Sequence, residues 1–272
     1  MDLREKAAQY GRRLRGWITG ARSGNGEVVL ETARALHPGG RDEQQDRVEV
    51  FESSDGQGCL VVLADGMGGH RGGALAAQRV IDTCQSAWTD LDGAPGDTEQ
   101  FLDELVDRAH SGVNELREQE GVDARSTMVA AVVRGMTATW VHAGDSRLYR
   151  IKNGTIVEYT RDHSLVEALV AGGQISEQEA KVHPDRSQLL TSIGGEDPPK
   201  RALSGAALEP GDGLFLGSDG VWEHLGDDEI AEALAADDLH AAIQDCLERA
   251  TQRGGEKADN ASMALVRRLS AG

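Results

Sequence analysis

Residues Cys59 to Ala77, C-L-V-V-L-A-D-G-M-G-G-H-R-G-G-A-L-A-A, constrain the chain more than any other stretch. Cys59 to Ala64 is a short apolar run, β-branched in the middle and closed by glycine, the pattern of a buried strand. It delivers one carboxylate, Asp65, to the strand's end. Gly66, Gly68, Gly69, Gly72 and Gly73 follow, a backbone that can take positive φ and approach a ligand closely, and Ala74 onward reads as helix. An acid at a strand end beside bare backbone suits a hard cation such as Mg²⁺ or Mn²⁺, which takes carboxylate, carbonyl and water oxygens. A purely structural turn would read the same way. A phosphate loop is excluded because no Gly-Lys-Ser/Thr follows, and a dinucleotide fingerprint because Arg71 stands where its third glycine belongs.

Composition narrows the classes. The 272 residues are enough for one large domain with a substantial core, and no linker interrupts them. With 46 acidic against 28 basic residues, a formal charge of −18, nonspecific nucleic-acid binding is disfavoured. Cys59, Cys84 and Cys246 are far apart and odd in number, which excludes a thiolate zinc site and points to a reducing cytoplasm. No run of about 18 apolar residues exists, so no transmembrane helix is expected, and the N-terminus lacks the apolar core of a signal peptide.

Residues 1–25 read as a basic extension in which Leu3, Tyr10, Leu14, Trp17 and Ile18 fall at roughly helical spacing among Arg4, Lys6, Arg12, Arg13 and Arg15, interrupted by Gly11 and Gly16. Strands are expected at 26–35 and 47–53, with a polar loop carrying Arg41 and Asp46 between them. Helices follow at 73–88 and 98–119, an antiparallel pair over a sheet. Strands resume at 126–133 and 138–143, and 148–151 and 155–159 form a hairpin turning at Asn153-Gly154. A helix at 165–171 leads into a flap-like insertion, 172–186, whose short helix is capped by Ser176 and Glu179. An apolar strand, 212–217, hands over Ser218-Asp219-Gly220; helices at 227–235 and 239–253 and a last strand at 263–269 complete the chain.

Asp65-Gly66, Asp219-Gly220 and Asp259-Asn260 therefore stand at strand ends or in a loop joining a strand. Any one would be an ordinary turn former. If they meet in space with Asp46, like charges so close require divalent cations between them.

Eight motifs occur in order: R-D-E-Q-Q-D (41–46), A-D-G-M-G-G-H (64–70), S-T-M (126–128), A-G-D-S-R (143–147), T-R-D-H-S (160–164), H-P-D-R-S-Q-L-L (183–190), S-D-G-V-W (218–222) and A-D-N-A-S (258–262). Together they resemble the metal-dependent serine/threonine protein phosphatases, type 2C, in their bacterial form, over residues 26–269. The resemblance implies an α+β fold, a four-layer α-β-β-α sandwich of two antiparallel sheets flanked by pairs of antiparallel helices, with residues 26–272 as the catalytic domain. It implies two Mn²⁺ or Mg²⁺ ions bridged by Asp65, with Asp219 and Asp259 completing one and the Gly66 carbonyl contacting the other. Asp46 would hold water around the metals from behind, and Arg41 would grip the substrate phosphate. A third ion would sit between Asp219 and an acid ahead of the S-T motif, for which Asp123 is the candidate.

The implied activity is hydrolysis of phosphoserine and phosphothreonine on proteins by a water or hydroxide bridging the two ions, reversing a cognate Ser/Thr kinase, in the cytoplasm and as a monomer. The cysteines lack the Cys-x5-Arg cradle of a cysteine phosphatase. Two departures stand out. Met67 occupies the position where animal members carry a histidine, leaving His70 and His163 as structural residues, and Gln44 and Gln45 replace the usual Asn or Glu before Asp46. A catalytically silent family member acting as a sensor, and an unrelated acidic magnesium nuclease, are the competing readings; the complete set of acids disfavours the first, the missing basic track the second.

Overall fold

The computed structural model describes residues 19–23, 29–69, 71–91 and 93–269. Two antiparallel sheets lie face to face. One has the order β1 (Thr19–Ser23), β2 (Val29–His37), β13 (Ala261–Leu269), β12 (Gly213–Gly217), β9 (Arg147–Lys152) and β10 (Thr155–Tyr159). The other runs β11 (Ala202–Ala207), β8 (Thr137–Ala143), β7 (Met128–Arg134), β4 (Gly58–Ala64) and β3 (Arg47–Glu52). A two-stranded ribbon, β5 (Gly66–Met67) with β6 (Arg125–Ser126), caps the end where β4 finishes.

Strand alternation builds three apolar layers from these sequences. Cys59, Val61 and Leu63 of β4, with Val129, Ala131 and Val133 of β7, face the other sheet and meet Leu214, Leu216, Ala264 and Val266. Leu60 and Val62 of β4, with Met128, Ala130 and Val132 of β7, face outward, beneath helices α1 (Gly72–Thr89) and α2 (Thr98–Glu120). β4 is buried on both faces, which is why it reads as an unbroken apolar run. Each such leucine or valine contributes about 1.5–3 kcal/mol on burial. In α2 the buried residues Leu102, Leu105, Val106, Ala109, Val113 and Leu116 recur every three or four positions; Asp97 caps its start and Gly121, at φ 65°, its end.

After β10 come α3 (Leu165–Ala171) and α4 (Glu177–Lys181), and after β12 come α5 (Asp219–Trp222), α6 (Asp227–Ala235) and α7 (Leu239–Gly254). α6 and α7 cover the far face of the first sheet, with Ile230, Leu234, Ile243, Cys246 and Leu247 packed on Phe215 and Leu265. The expected four-layer arrangement is present.

The expected insertion carries α4, with the Ser176–Glu179 capping box formed. Its neck is tied where Leu165 N–H donates to Gln188 O at 2.9 Å and Leu190 N–H to His163 O at 2.8 Å. Two strands of the main sheets escape the sequence pattern, as does the short β5–β6 ribbon. β11, A-L-S-G-A-A, lies at a sheet edge with most side chains exposed, so it carries no apolar alternation. β1 pairs with β2 from Thr19↔Arg34 to Ser23↔Leu30, so the sheet begins ahead of the boundary expected at residue 26. The rest of the basic extension, residues 1–18 and 24–25, lies outside the described residues, as do residues 26–28 at the start of the first expected strand.

Candidate active site

Asp65 is delivered where β4 ends, and its backbone is held on every side. Its N–H donates to Thr127 Oγ1 at 3.0 Å, and its carbonyl accepts from the Thr127 N–H at 2.8 Å and the Ser126 hydroxyl at 3.0 Å. The next residue must be glycine, because a Cβ on Gly66 would stand 2.0 Å from the Gly73 carbonyl oxygen. This close approach of loop and helix start turns the strand end into a rigid corner.

The other acids arrive from separate elements. β12 finishes at Gly217, and Asp219 opens α5. Asp259 precedes β13, and its neighbour Asn260 clamps the loop that carries Arg41: the Asn260 amide donates to Pro38 O and Glu43 O, both at 2.9 Å, and its oxygen accepts the Gln45 N–H at 2.6 Å. Asp46 lies behind them, 1% exposed, accepting a hydrogen bond from the Ser218 hydroxyl.

These elements surround one cleft of about 620 Å³ whose walls include Asp65, Asp145, Asp219, Asp259, Gly66, Met67 and Arg41. Ser187 and Leu189, from the neck of the insertion, form part of its rim. A second hollow, about 580 Å³, lies beside β10 and α6, but its acids Asp227 and Asp228 are exposed to solvent and Glu158 is already paired with Arg150. The cleft at the sandwich end is the one that half-buried acids from separate elements line together.

Burial first, then the neighbouring Asp46, Asp219 and Asp145, holds the Asp65 carboxyl well above its ordinary range. Asp219 is pushed the same way by burial and then by Asp145. Burial and the nearby Asp162 push Asp145 up to about 7, while Asp46 rises to about 6 through burial, against the lowering effect of Ser218. Asp65, Asp145 and Asp219 are half-buried, and all three line the cleft. Bringing so many carboxylates together favours the neutral acids unless positive charge joins them.

Divalent cations fit this donor set. It consists of hard oxygens, and Asp46 Oδ1 is a buried acceptor with no hydrogen-bond partner. Among the described residues no three His, Cys, Asp or Glu side chains already stand close enough to hold a metal ion. The hydrogen bonds explain this. Asp219 Oδ1 accepts its own Gly220 N–H at 2.6 Å, and Asp259 accepts the Asn260 N–H at 2.8 Å and Arg41 Nη2 at 2.7 Å. Side-chain rotation within the cleft is needed for convergence. The Arg41–Asp259 pair is half-exposed on both sides, so it is worth at most about 1 kcal/mol and leaves Arg41 able to turn to another anion.

Of the expected site residues, Arg41, Asp65, Gly66, Asp219 and Asp259 line the cleft and Asp46 supports it from below. Asp123 stands apart: its carboxylate is exposed and paired with Arg125 at 3.2 Å and Arg117 at 3.5 Å, while its carbonyl packs under Gly68 and Gly72. The acid that the structure sets beside Asp219 is Asp145, in the G-D-S-R turn. A signal for it existed, since Gly144-Asp145 closes β8 as Asp65-Gly66 closes β4.

The cysteines are buried and free. Burial pushes the Cys59 thiol up to about 12 and Cys246 to about 11, far from a nucleophilic thiolate. His163 stacks on His142 with centroids 4.5 Å apart and accepts the Gly144 N–H, and burial lowers it to about 4. This fits its structural reading; His70 lies outside the described residues.

Residues 37–269 match the family described as Protein phosphatase 2C. The chain is 35% identical over 229 residues to a Streptococcus pyogenes protein phosphatase 2C-type, covering 83% of this chain and 92% of that one. Its fold superposes on the serine/threonine phosphatase of S. agalactiae with a TM-score of 0.81 at 32% identity, covering 88% of this chain and 99% of the other. It also superposes on the catalytic domain of the serine/threonine protein phosphatase PstP in complex with 2 manganese ions, with a TM-score of 0.76 at 28% identity over 89% and 100% of the two chains. With its ordered motifs, sandwich fold and acid-lined cleft, this chain belongs to the protein phosphatase 2C family and is a serine/threonine protein phosphatase of the bacterial type.

Proposed function

We propose that the cleft hydrolyses phosphoserine and phosphothreonine by direct attack of water, with two divalent cations, Mn²⁺ or Mg²⁺, held by Asp65, Asp219, Asp259 and the Gly66 carbonyl. The observation that carries the reading is the arrival of Asp65, Asp219 and Asp259, from three distant stretches, in the walls of one 620 Å³ cleft with Arg41 among them. Bound cations acidify a water for in-line attack and offset the charge of the phosphoryl oxygens.

The chain's own residues supply the rest. Arg41 leaves its exposed partner and presents two planar donors to the phosphate. Asp46, fixed by Ser218, stays behind the ligating acids as an acceptor for water hydrogens, which its unpartnered Oδ1 is free to take. Met67 has no proton to give, so no side chain at that position serves the leaving alkoxide. Where a third ion binds, Asp145 with Asp219 is the better pair than Asp123, because Asp145 faces the cleft.

The substrates are phosphorylated proteins of the cytoplasm, and the reaction opposes a Ser/Thr kinase. The test is phosphopeptide hydrolysis with and without Mn²⁺, comparing the parent with Asp219→Ala. Activity that requires Mn²⁺ and falls at least about a hundredfold in the variant, with its circular dichroism unchanged, is expected. Undiminished turnover in Asp219→Ala contradicts the reading.

A further inference from the structure

Beneath the Asp145 turn lies a stack of three side chains. Arg147 places its guanidinium carbon 3.5 Å from the centre of the Trp222 ring. The same guanidinium donates through Nε and Nη2 to the two oxygens of Asp162 at 2.7 and 2.8 Å, and through Nη1 to the Tyr149 hydroxyl at 3.3 Å. The Trp222 indole N–H then donates to the Asp145 carbonyl at 3.1 Å.

Each contact restricts the next. The two-pronged Arg147–Asp162 pair is mostly buried, with side chains 21% and 9% exposed, so the guanidinium plane is fixed. A planar cation over the indole holds the ring by cation–π attraction. An indole has a single donor, and here it is spent on one carbonyl. On its other side the turn meets Thr127, whose methyl would lie 2.7 Å from a Cβ on Gly144, at φ +114°. Trp222 is also the last residue of the one-turn helix that Asp219 opens, and Asp162 lies two residues before Ser164, which caps α3. One stack thus joins the Asp219 helix, the Asp145 turn and the root of the insertion.

We propose that Trp222 is a positioning residue: its Arg147-braced indole N–H fixes the Asp145 backbone so that the carboxylate faces Asp219 across the cleft. This rests on the reading of Asp145 and Asp219 as cation-holding acids. Burial alone would be served as well by phenylalanine; the hydrogen bond would not.

The test uses the full chain and the variants Trp222→Phe, which keeps a ring under Arg147 but removes the N–H, Trp222→Leu, and Asp145→Asn. Hydrogen exchange of residues 143–147 is measured in EDTA-treated protein, and Mn²⁺ binding is followed by calorimetry. In Trp222→Phe we expect faster exchange confined to this turn and an approximately tenfold weakening of the weakest Mn²⁺ event, the tighter events being unchanged. Trp222→Leu should be worse, and Asp145→Asn should remove the same weak event. If Asp145→Asn removes that event while Trp222→Phe matches the parent in exchange and binding, the positioning role is wrong. If Asp145→Asn leaves every Mn²⁺ event intact, the cation reading of Asp145 fails and the inference falls with it.

Discussion

The Ser218 hydroxyl donates a 2.8 Å hydrogen bond to Oδ2 of Asp46, a partner 172 positions earlier in the chain. Ser218 immediately precedes Asp219, and Asp46 immediately precedes β3, so this contact joins the Asp219 corner of one sheet to the edge of the other. Ser218 Oγ also accepts the Ser262 N–H at 3.0 Å, which brings in β13.

Ser218→Ala removes the hydroxyl donor to Oδ2 of the buried Asp46 carboxyl, whose Oδ1 is unpartnered already. A loss of about 1–3 kcal/mol is expected. Urea denaturation of the EDTA-treated protein checks it; a midpoint equal to the parent's would mean the bond contributes nothing net.

Metal removal should make stability strongly pH-dependent. Asp46 and Asp145 have folded-state values raised from 3.8 to about 6 and about 7, so between those limits the folded state binds more protons than the unfolded one. Their contribution is complete below the unfolded value and disappears as pH rises through the folded values. Each tenfold change in proton affinity is about 1.4 kcal/mol, so the loss between about pH 5 and pH 8 amounts to several kcal/mol. Melting curves with EDTA should fall across that window, Asp145→Asn should flatten the fall, and Mn²⁺ should stabilise most at the alkaline end, where cations take the place of protons. A metal-free melting temperature that is flat from pH 5 to pH 8 contradicts the burial of these acids.

Gly68→Ala should damage both stability and turnover. Gly68 has φ +119°, and a Cβ there would stand 1.8 Å from the Asp123 carbonyl oxygen, so the loop beside Asp65 has to shift. We expect a cost above about 3 kcal/mol. Gly69→Ala is the control: φ is +80° but nothing lies within 4 Å, so only the backbone cost of about 1–2 kcal/mol applies. Equal effects of the two substitutions in thermal melts would show that the Asp123 contact is immaterial.

Legibility in the sequence followed burial. β4 and β7, enclosed on both faces, are continuous apolar runs, and the buried stripe of α2 repeats at helical spacing; both were readable without coordinates. β11, exposed at an edge and built of small residues, carried no such mark. Among site residues, Asp65 and Asp219 were visible because apolar strands end at them. Asp145 ends a strand too, but its G-D-S-R turn reads as an ordinary polar turn until Asp219 is seen beside it.

Chain order alone determined which residue types and motifs are available: strand-terminal acids with glycine or asparagine beside them, Arg41, and no reactive cysteine cradle. Periodicity, which records local burial, also marked most of the helices and strands. Only the tertiary structure decided which acids share a cleft, setting Asp145 there and Asp123 outside, and it alone revealed the Ser218–Asp46 bond and the Trp222–Arg147–Asp162 stack. These relationships join residues far apart in the chain, and the packing of two sheets at one end, which no local pattern encodes, brings them within hydrogen-bond and Coulomb range.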